Sequence, residues 1–550
     1  MLYIFMLTFY GLIPASILQA KEFTMNGVFL FETTIFVILI IIIINWLSIK
    51  IKTPSSVMLI VGGSFLAFIP NLPDIAFEPE LILLILLPPL LMDGAYFTAV
   101  ASFRQHISGI LLLAVGAVLF TTLCIGVVVH FLIPTLPWAA CFVLGAIVSP
   151  PDAVSARAIL NKVKLPSRIT TLLEGESLLN DASGLVLFKV AVAATLGGVF
   201  SFKDAAMDFI LLSFGGVIVG VAISIIWIAM LRFLKNDNLM ALLSVILCWV
   251  TYIVAEKINV SGVIATVSAG LIYGWFQHRE FSATVRLKTT FFWKIMVFLL
   301  EAIVFILIGL SLKGVIERVG GVEKIATTMG MTVVSITVAV IFSRFIWVFL
   351  VRMLTLALHK YRLSFHPLSV QGAAVLSWAG MRGIVTMAVA FTLPEEFPGR
   401  DLMLITAFSV ILVTVMLQGA SLGWMIRWLR PQDKSKNNHH DIRAVRKIIS
   451  YEKKKALDSL KAREIKKQGF SSLVNYFSLQ IANDETHAYS DLKGNCAQEE
   501  VVIDKLIGAA RAALLSLHES DKISDTDMHY IEREIDFEEL YLKSAISNDE

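Results

Sequence analysis

The sequence predicts an all-α membrane protein of about thirteen transmembrane helices, followed by a C-terminal cytoplasmic helical tail. Three observations predict it. Of 550 residues, 57% are hydrophobic and only 16% charged, and the mean hydropathy is +0.77; a soluble domain carries about 25% charged residues. The apolar residues fall in runs of the length that crosses a bilayer, about 20 residues. Basic and acidic loops alternate along the chain, as they do when successive loops lie on opposite sides of a membrane. These features exclude a soluble enzyme, a disordered chain and a disulfide-stapled secreted domain. The apolar composition implies the lipid bilayer as partner, and the net charge of +3 implies no nucleic acid. Cys124, Cys141, Cys248 and Cys496 have neither metal-ligand nor CxxC spacing and read as small core residues.

Residues 1–20 are apolar, lack a basic start and end in small residues (Ala15, Ser16, Ala20), the pattern of a signal-like segment or an extra helix. The transmembrane domain, 29–430, then divides into spans 29–49, 55–70, 80–100, 108–133, 138–160, 171–199, 208–232, 238–256, 260–277, 291–312, 325–354, 371–393 and 402–428. Loops after the odd-numbered spans are basic: Lys50 and Lys52; Arg104; Arg157, Lys162, Lys164 and Arg168; Arg232 and Lys235; Arg279, Arg286 and Lys288; Arg352, Lys360 and Arg362. The intervening loops carry Asp74, Glu78 and Glu80; Asp204 and Asp208; Glu317 and Glu323; Glu395, Glu396 and Asp401. The basic loops and the tail, 431–550, are therefore expected in the cytoplasm. An odd count accommodates one peripheral helix plus two six-helix halves, the inverted repeats of secondary transporters.

Ionisable groups inside spans are costly and mark function. Span five reads Ser149-Pro150-Pro151-Asp152. Its prolines break the helix and free carbonyls, which are tolerated at membrane depth only around a cavity or site. Span six contains Glu174-Gly-Glu176-Ser177-Leu-Leu-Asn180-Asp181-Ala-Ser-Gly184. Glu176 and Asn180, and likewise Ser177 and Asp181, are four apart and share adjoining faces of one helix. Their oxygens suit a hard cation. A buried Asp181 carboxylate can also hold a proton, and competition between the two is sufficient for exchange. Arg344, in span eleven, requires an anion, and a Glu176–Arg344 pair satisfies both groups. Glu176 is accordingly expected to be structural.

Together these stretches, with Glu301-Ala-Ile-Val-Phe-Ile-Leu-Ile-Gly309-Leu and Gly380-Met-Arg382-Gly383-Ile-Val, resemble the monovalent cation:proton antiporter family over roughly residues 30–430. The resemblance is to its electroneutral branch, the bacterial sodium/proton antiporters related to animal sodium/proton exchangers. It implies that Asp181 is the shared cation and proton carboxylate and that Asn180 marks one-for-one exchange. Asp152, the Pro151 carbonyl and Ser177 would complete the site, Glu176 would pair with Arg344, and spans five and twelve would be the interrupted, crossed helices. It also implies a homodimer with a dimerisation domain and a moving core. Family members often carry threonine or another residue where Pro151 stands, so a side-chain hydroxyl contact there is lost and only the carbonyl remains.

Arg382, between glycines at a break in span twelve, is expected to support carbonyl ends, guard a gate or snorkel. Asp93, after Pro88-Pro89, suggests a break in span three. Lys189 reads as a structural counter-charge or a snorkelling lysine, Glu301 as more structural than functional, and Glu256-Lys257 as an interfacial pair. In the tail, Arg443 to Lys467 interleaves basic and apolar residues and reads either as a helix lying on anionic lipid or as a solvated one. Stretches 498–518 and 527–545 read as amphipathic helices. His439-His440 is too short a pair for a metal site. The sequence contains no Walker A, HExxH or GxSxG motif and no nucleotide fingerprint, so no cofactor is expected. The substrates read as Na⁺ or Li⁺, with K⁺ preference as the alternative, against H⁺. A gated channel would need a ring of carbonyls or acids, and a non-transporting sensor would show no flux.

Overall fold

The computed structural model describes residues 27–547 apart from 52, 69–78, 99, 153–164, 198–201, 232, 235, 322, 324, 361–367, 432–441, 465–495 and 521. The signal-like segment, the second half of span five and His439-His440 lie outside the described residues. Within them the regular structure is helical throughout. Helices α1 (Gly27–Ile51), α2 (Ser55–Ala67), α3 (Pro79–Tyr96) and the short α4 (Val100–Gln105) precede α5 (Ile107–Leu132) and α6 (Trp138–Val148). Helices α7 (Ser167–Gly197), α8 (Phe202–Leu231), α9 (Asp237–Lys257), α10 (Gly262–Glu280), α11 (Ala283–Val319) and α12 (Gly330–Lys360) follow. The interrupted pair α13 (Val370–Trp378) and α14 (Ile384–Phe391) leads to α15 (Arg400–Leu429). The C-terminal unit consists of α16 (Ile442–Glu464), α17 (Cys496–Glu519) and α18 (Asp525–Ser547).

Eight of these helices (α1, α5, α7, α8, α9, α11, α12 and α15) are long and apolar enough to cross a bilayer. The remaining predicted spans fall on α2, α3, α6, α10 and the α13–α14 pair, which are short, interrupted or less apolar. The outward surface is apolar: Phe131, Ile295 and Met331 are each at least 70% exposed. That is the arrangement expected where lipid is the solvent. The interior excludes lipid by close backbone approach. A Cβ on Gly63 would stand 2.4 Å from the Ile306 carbonyl oxygen, and one on Gly309 2.4 Å from that of Ile60. Small residues therefore let α2 and α11 cross in backbone contact, as in other membrane helix pairs.

Helix starts follow local chemistry. The hydroxyls of Ser261, Ser282 and Ser369 accept hydrogen bonds from the N–H groups of Ile264, Val285 and Gly372, so α10, α11 and α13 begin at those residues. The break expected at Pro88-Pro89 does not occur, and α3 runs through both prolines. Proline lacks the N–H that would bond the carbonyl four residues back. For Pro89 that carbonyl belongs to Ile85, and the Trp249 indole N–H of α9 donates to it at 3.2 Å. A neighbouring helix thus supplies the missing donor, and buried Asp93 stays within a regular helix.

The C-terminal unit has its own core, formed by Val445, Ile449 and Leu457 of α16, Ile503, Leu506 and Leu514 of α17, and Ile531 and Leu542 of α18. The apolar residues of α16 are therefore turned toward its partner helices. This removes the apolar face on which the lipid-lying alternative depended. Ion pairs from Arg446 to Glu534 (2.6 Å) and Lys453 to Glu538 (2.6 Å) reinforce the packing. The unit docks on the membrane domain through α18. Arg286 of α11 bonds Asp536 with Nε at 3.1 Å and Nη2 at 2.5 Å. Burial pushes the Glu532 carboxyl up, but hydrogen bonds from His278 and His529 and the Arg286 charge outweigh burial and hold it well below the usual carboxylate range.

Candidate functional site

The site forms where two helices are interrupted. Helix α6 ends at Val148, and Ser149 to Asp152 run as non-helical backbone. Helix α13 ends at Trp378, and the chain re-enters helix only at Ile384. The two irregular segments pair backbone to backbone, the Asp152 N–H donating to the Met381 carbonyl at 2.6 Å. Prolines on one strand of the crossing and glycines on the other explain why helix fails at both places.

Two half-helices thus direct C-terminal carbonyls into the crossing, and such ends carry partial negative charge. An arginine meets each. Arg382 Nε donates to Val148 O at 2.6 Å and its Nη1 to Gly380 O at 2.8 Å, while its backbone N–H donates to Thr414 Oγ1 at 3.1 Å. Thr414 opens a π-helical turn, Thr414–Gly419, within α15. Arg344 donates to Leu376 O from Nε at 3.3 Å and from Nη2 at 3.1 Å. It also pairs with Glu176, Nη1 to Oε1 at 2.5 Å and Nη2 to Oε2 at 2.9 Å, with both side chains buried. A two-point guanidinium–carboxylate fork of this kind fixes direction as well as distance. Both Glu176 oxygens are thereby engaged.

Helix α7 brings the remaining groups. Gly184 lets it lie on the proline segment, since a Cβ there would stand 2.3 Å from Pro150 Cγ. Fully buried Asn180 donates from Nδ2 to Pro151 O at 2.5 Å. Its buried Oδ1 has no hydrogen-bond partner among the described residues. Ser177 and Asp181 are half-buried on one face of α7, and half-buried Asp152 lies close enough to Asp181 for their charges to repel. A small cleft touches Pro151, Asp152, Glu176, Ser177 and Arg344. Its lining reaches Ser177, and Asp181 stands one turn further along the same face. The crossing therefore brings Pro151, Asp152 and Ser177 to the cleft together with the Glu176–Arg344 pair, while Asn180 reaches it through its bond to Pro151 O and Arg382 holds the end of α6.

Other singled-out residues lie elsewhere. Lys189 pairs at 3.3 Å with Glu256, whose other oxygen accepts from the Gly262 N–H at 3.1 Å. Glu256, at the end of α9, is thus shared between α7 and the start of α10. Glu301 is half-buried on α11.

Sequence reasoning did not foresee the part played by Gly383. A Cβ there would fall 1.8 Å from Asp152 Oδ2 and 2.6 Å from Asp152 Cβ. A glycine beside an intramembrane arginine was the available signal, but its partner is 231 positions away. Gly383→Ala is expected to displace the Asp152 carboxylate and lower cation affinity. An ångström-scale misplacement of a functional group costs on the order of 100-fold in activity, and the apparent KM for the transported cation measures it. A wild-type KM would show that Asp152 tolerates displacement.

A family model described as sodium/hydrogen exchanger, transmembrane, matches residues 35–428. A sodium, potassium, lithium and rubidium/H⁺ antiporter of Bacillus pumilus is 31% identical over 504 residues, 88% of this chain and 73% of that protein. The Na⁺/H⁺ antiporter NhaH of Halobacillus dabanensis is 28% identical over 394 residues, covering 69% of this chain and 93% of its own. The solved sodium proton antiporter MjNhaP1 of Methanocaldococcus jannaschii shares the fold, with a TM-score of 0.59 over 73% of this chain and 99% of that one, at 19% identity.

Proposed function

The chain belongs to the sodium/hydrogen exchanger family, an integral multi-pass membrane protein, and from that premise we propose that it exchanges a monovalent cation for a proton. The observation that carries the reading is that Asp152 and Asp181 lie near enough for their charges to repel, with a buried amide oxygen, Asn180 Oδ1, that has no hydrogen-bond partner among the described residues. Two like charges in a low-dielectric setting require either a proton or a cation between them. Asp181, Asp152, Asn180 Oδ1, Ser177 and the Pro151 carbonyl supply oxygen ligands of the kind a hard cation takes. Asn180 holds Pro151 O in place with its amide N–H groups while leaving Oδ1 for the ion.

The transported ion excludes the proton and the proton excludes the ion. The empty charged carboxylate is costly to carry across hydrocarbon, so the two fluxes are coupled. The cleft lies in the N-terminal half of α7, which follows the basic loop, and this supports entry of the ion from the side on which the basic loops lie. Arg382 and Arg344 hold the half-helix ends of the moving core, and the thirteen-span, inverted-repeat homodimer with a cytoplasmic tail completes the reading. Sodium and lithium lead as substrates, with potassium as the alternative.

The test is proton flux in vesicles, read by dequenching of a pH dye on adding Li⁺, Na⁺ or K⁺ in turn. Saturable, cation-dependent dequenching is expected, and its absence for all three ions would remove the antiport reading. Electroneutral exchange also predicts a flux indifferent to an imposed diffusion potential, whereas a channel would follow the voltage. Asn180→Asp strips the Pro151 carbonyl of its donor unless the new carboxyl is protonated, a cost of about 1–3 kcal/mol. Exchange by this variant is therefore expected to fall at alkaline pH and recover on acidification. A pH profile superimposable on wild type would show that the Asn180 amide does not organise the site.

A further inference from the structure

The junction between the C-terminal unit and the membrane domain holds a cluster that transport does not use. His278 lies near the end of α10. His529 and Glu532 lie three apart on α18 and so share a face. His278 Nδ1 is 2.6 Å from Glu532 Oε1, and His529 Nδ1 is 3.8 Å from Glu532 Oε2. One ligand atom from each of the three residues lies within 4.8 Å of the others. Tetrahedral zinc, with bonds of about 2.0–2.1 Å, places its donors about 3.3–3.4 Å apart. The three donors lie within 4.8 Å of one another, so side-chain adjustment of about an ångström would close the set on one ion.

The surrounding charges leave this carboxylate to the imidazoles. Asp536 accepts from Arg286 at 2.5 Å and from Arg511 at 2.7 Å. Glu539 pairs with Arg511 and with Lys543. Glu532 stands 3.9 Å from Arg286, beyond a direct hydrogen bond. The three side chains are 15%, 31% and 11% exposed, enough to admit an ion and a water while excluding bulk solvent.

We propose that His278, His529 and Glu532 bind one divalent transition-metal ion of the zinc class, which clamps α18 to α10. Two imidazoles and one carboxylate with a fourth position for water form a zinc-type set, whereas Mg²⁺ and Ca²⁺ favour oxygen donors. The ion links residues 254 positions apart and so staples the C-terminal unit to a membrane helix.

The full-length protein in detergent, stripped with a chelator, is titrated with Zn²⁺ alone by calorimetry and with Co²⁺ by visible absorption. One Zn²⁺ per chain and the intense bands of four-coordinate Co²⁺ are expected. His278→Gln and Glu532→Gln, checked for folding by gel filtration, should weaken Zn²⁺ more than about 100-fold, beyond the 10–100-fold typical of supporting residues. His439→Ala should leave affinity unchanged. In the wild-type protein, Zn²⁺ should slow tryptic release of the C-terminal unit at Lys434 and Lys436, and chelation should restore it. A purely six-coordinate Co²⁺ spectrum, no Zn²⁺ binding, or binding that survives the paired substitution of His278 and His529 by Gln would overturn the site. These readings concern binding and are independent of antiport.

Discussion

Asp181→Asn is expected to abolish cation-driven proton flux while the protein remains folded. An amide neither ionises near neutral pH nor offers a charge to balance a monovalent ion, so both passengers lose their shared partner. The loss should exceed the roughly 10²–10⁴-fold associated with removing a proton-transferring group in catalysis, because here the same group also holds the cation. The neighbouring Asp152 then stands alone, and relief of its repulsion with Asp181 should leave the melting temperature unchanged or raised. Vesicle dequenching reads the first effect and thermal melting in detergent the second. Residual saturable exchange in a well-folded Asp181→Asn protein would move the transport role to another carboxylate, with Asp152 next in line.

The second large effect is structural. Glu176→Gln leaves the Arg344 guanidinium, 3% exposed, without its anion. Breaking a buried pair by removing one partner costs about 3–5 kcal/mol, because the remaining charge is stranded. Arg344 also holds the Leu376 carbonyl, and Gly380 packs so closely on it that a Cβ would lie 2.2 Å from its Cδ. The melting temperature should therefore drop sharply. Replacing both members with methionine should restore part of the loss, since well-packed apolar residues often match a buried ion pair. Any Glu176→Gln protein that folds at low temperature should keep its cation KM, as both Glu176 oxygens face the guanidinium. An unchanged melting temperature with a raised KM would instead make Glu176 an ion ligand.

The sequence showed which groups need explanation, because charge inside an apolar run stands out against its background. Asp152, Asp181, Glu176 and Arg344 were found in that way, and the pairing of the last two was inferred from the cost of leaving either charge alone. Helix interruption was less reliably legible. Pro150-Pro151 ends a helix, but Pro88-Pro89 does not, because the Trp249 indole N–H reaches the carbonyl that Pro89 leaves open. Proline announces a missing donor, and whether the helix survives depends on a neighbour that no local pattern specifies. The amphipathic stretch after Arg443 posed the same difficulty. Its pattern fits a lipid-lying or a solvated helix equally, and only its packing against α17 and α18 shows where the apolar face goes.

The sequence by itself determined that the chain is an integral membrane protein and which carboxylates and arginines stand within its apolar runs. Hydrophobic run length and the cost of buried charge are properties of local composition, so they are written in order along the chain. Only the tertiary structure decided that Gly383 makes room for Asp152, that Arg382 closes the end of α6, and that His278 faces His529 and Glu532. Those contacts join residues hundreds of positions apart, and their geometry arises from packing, which a linear pattern does not encode.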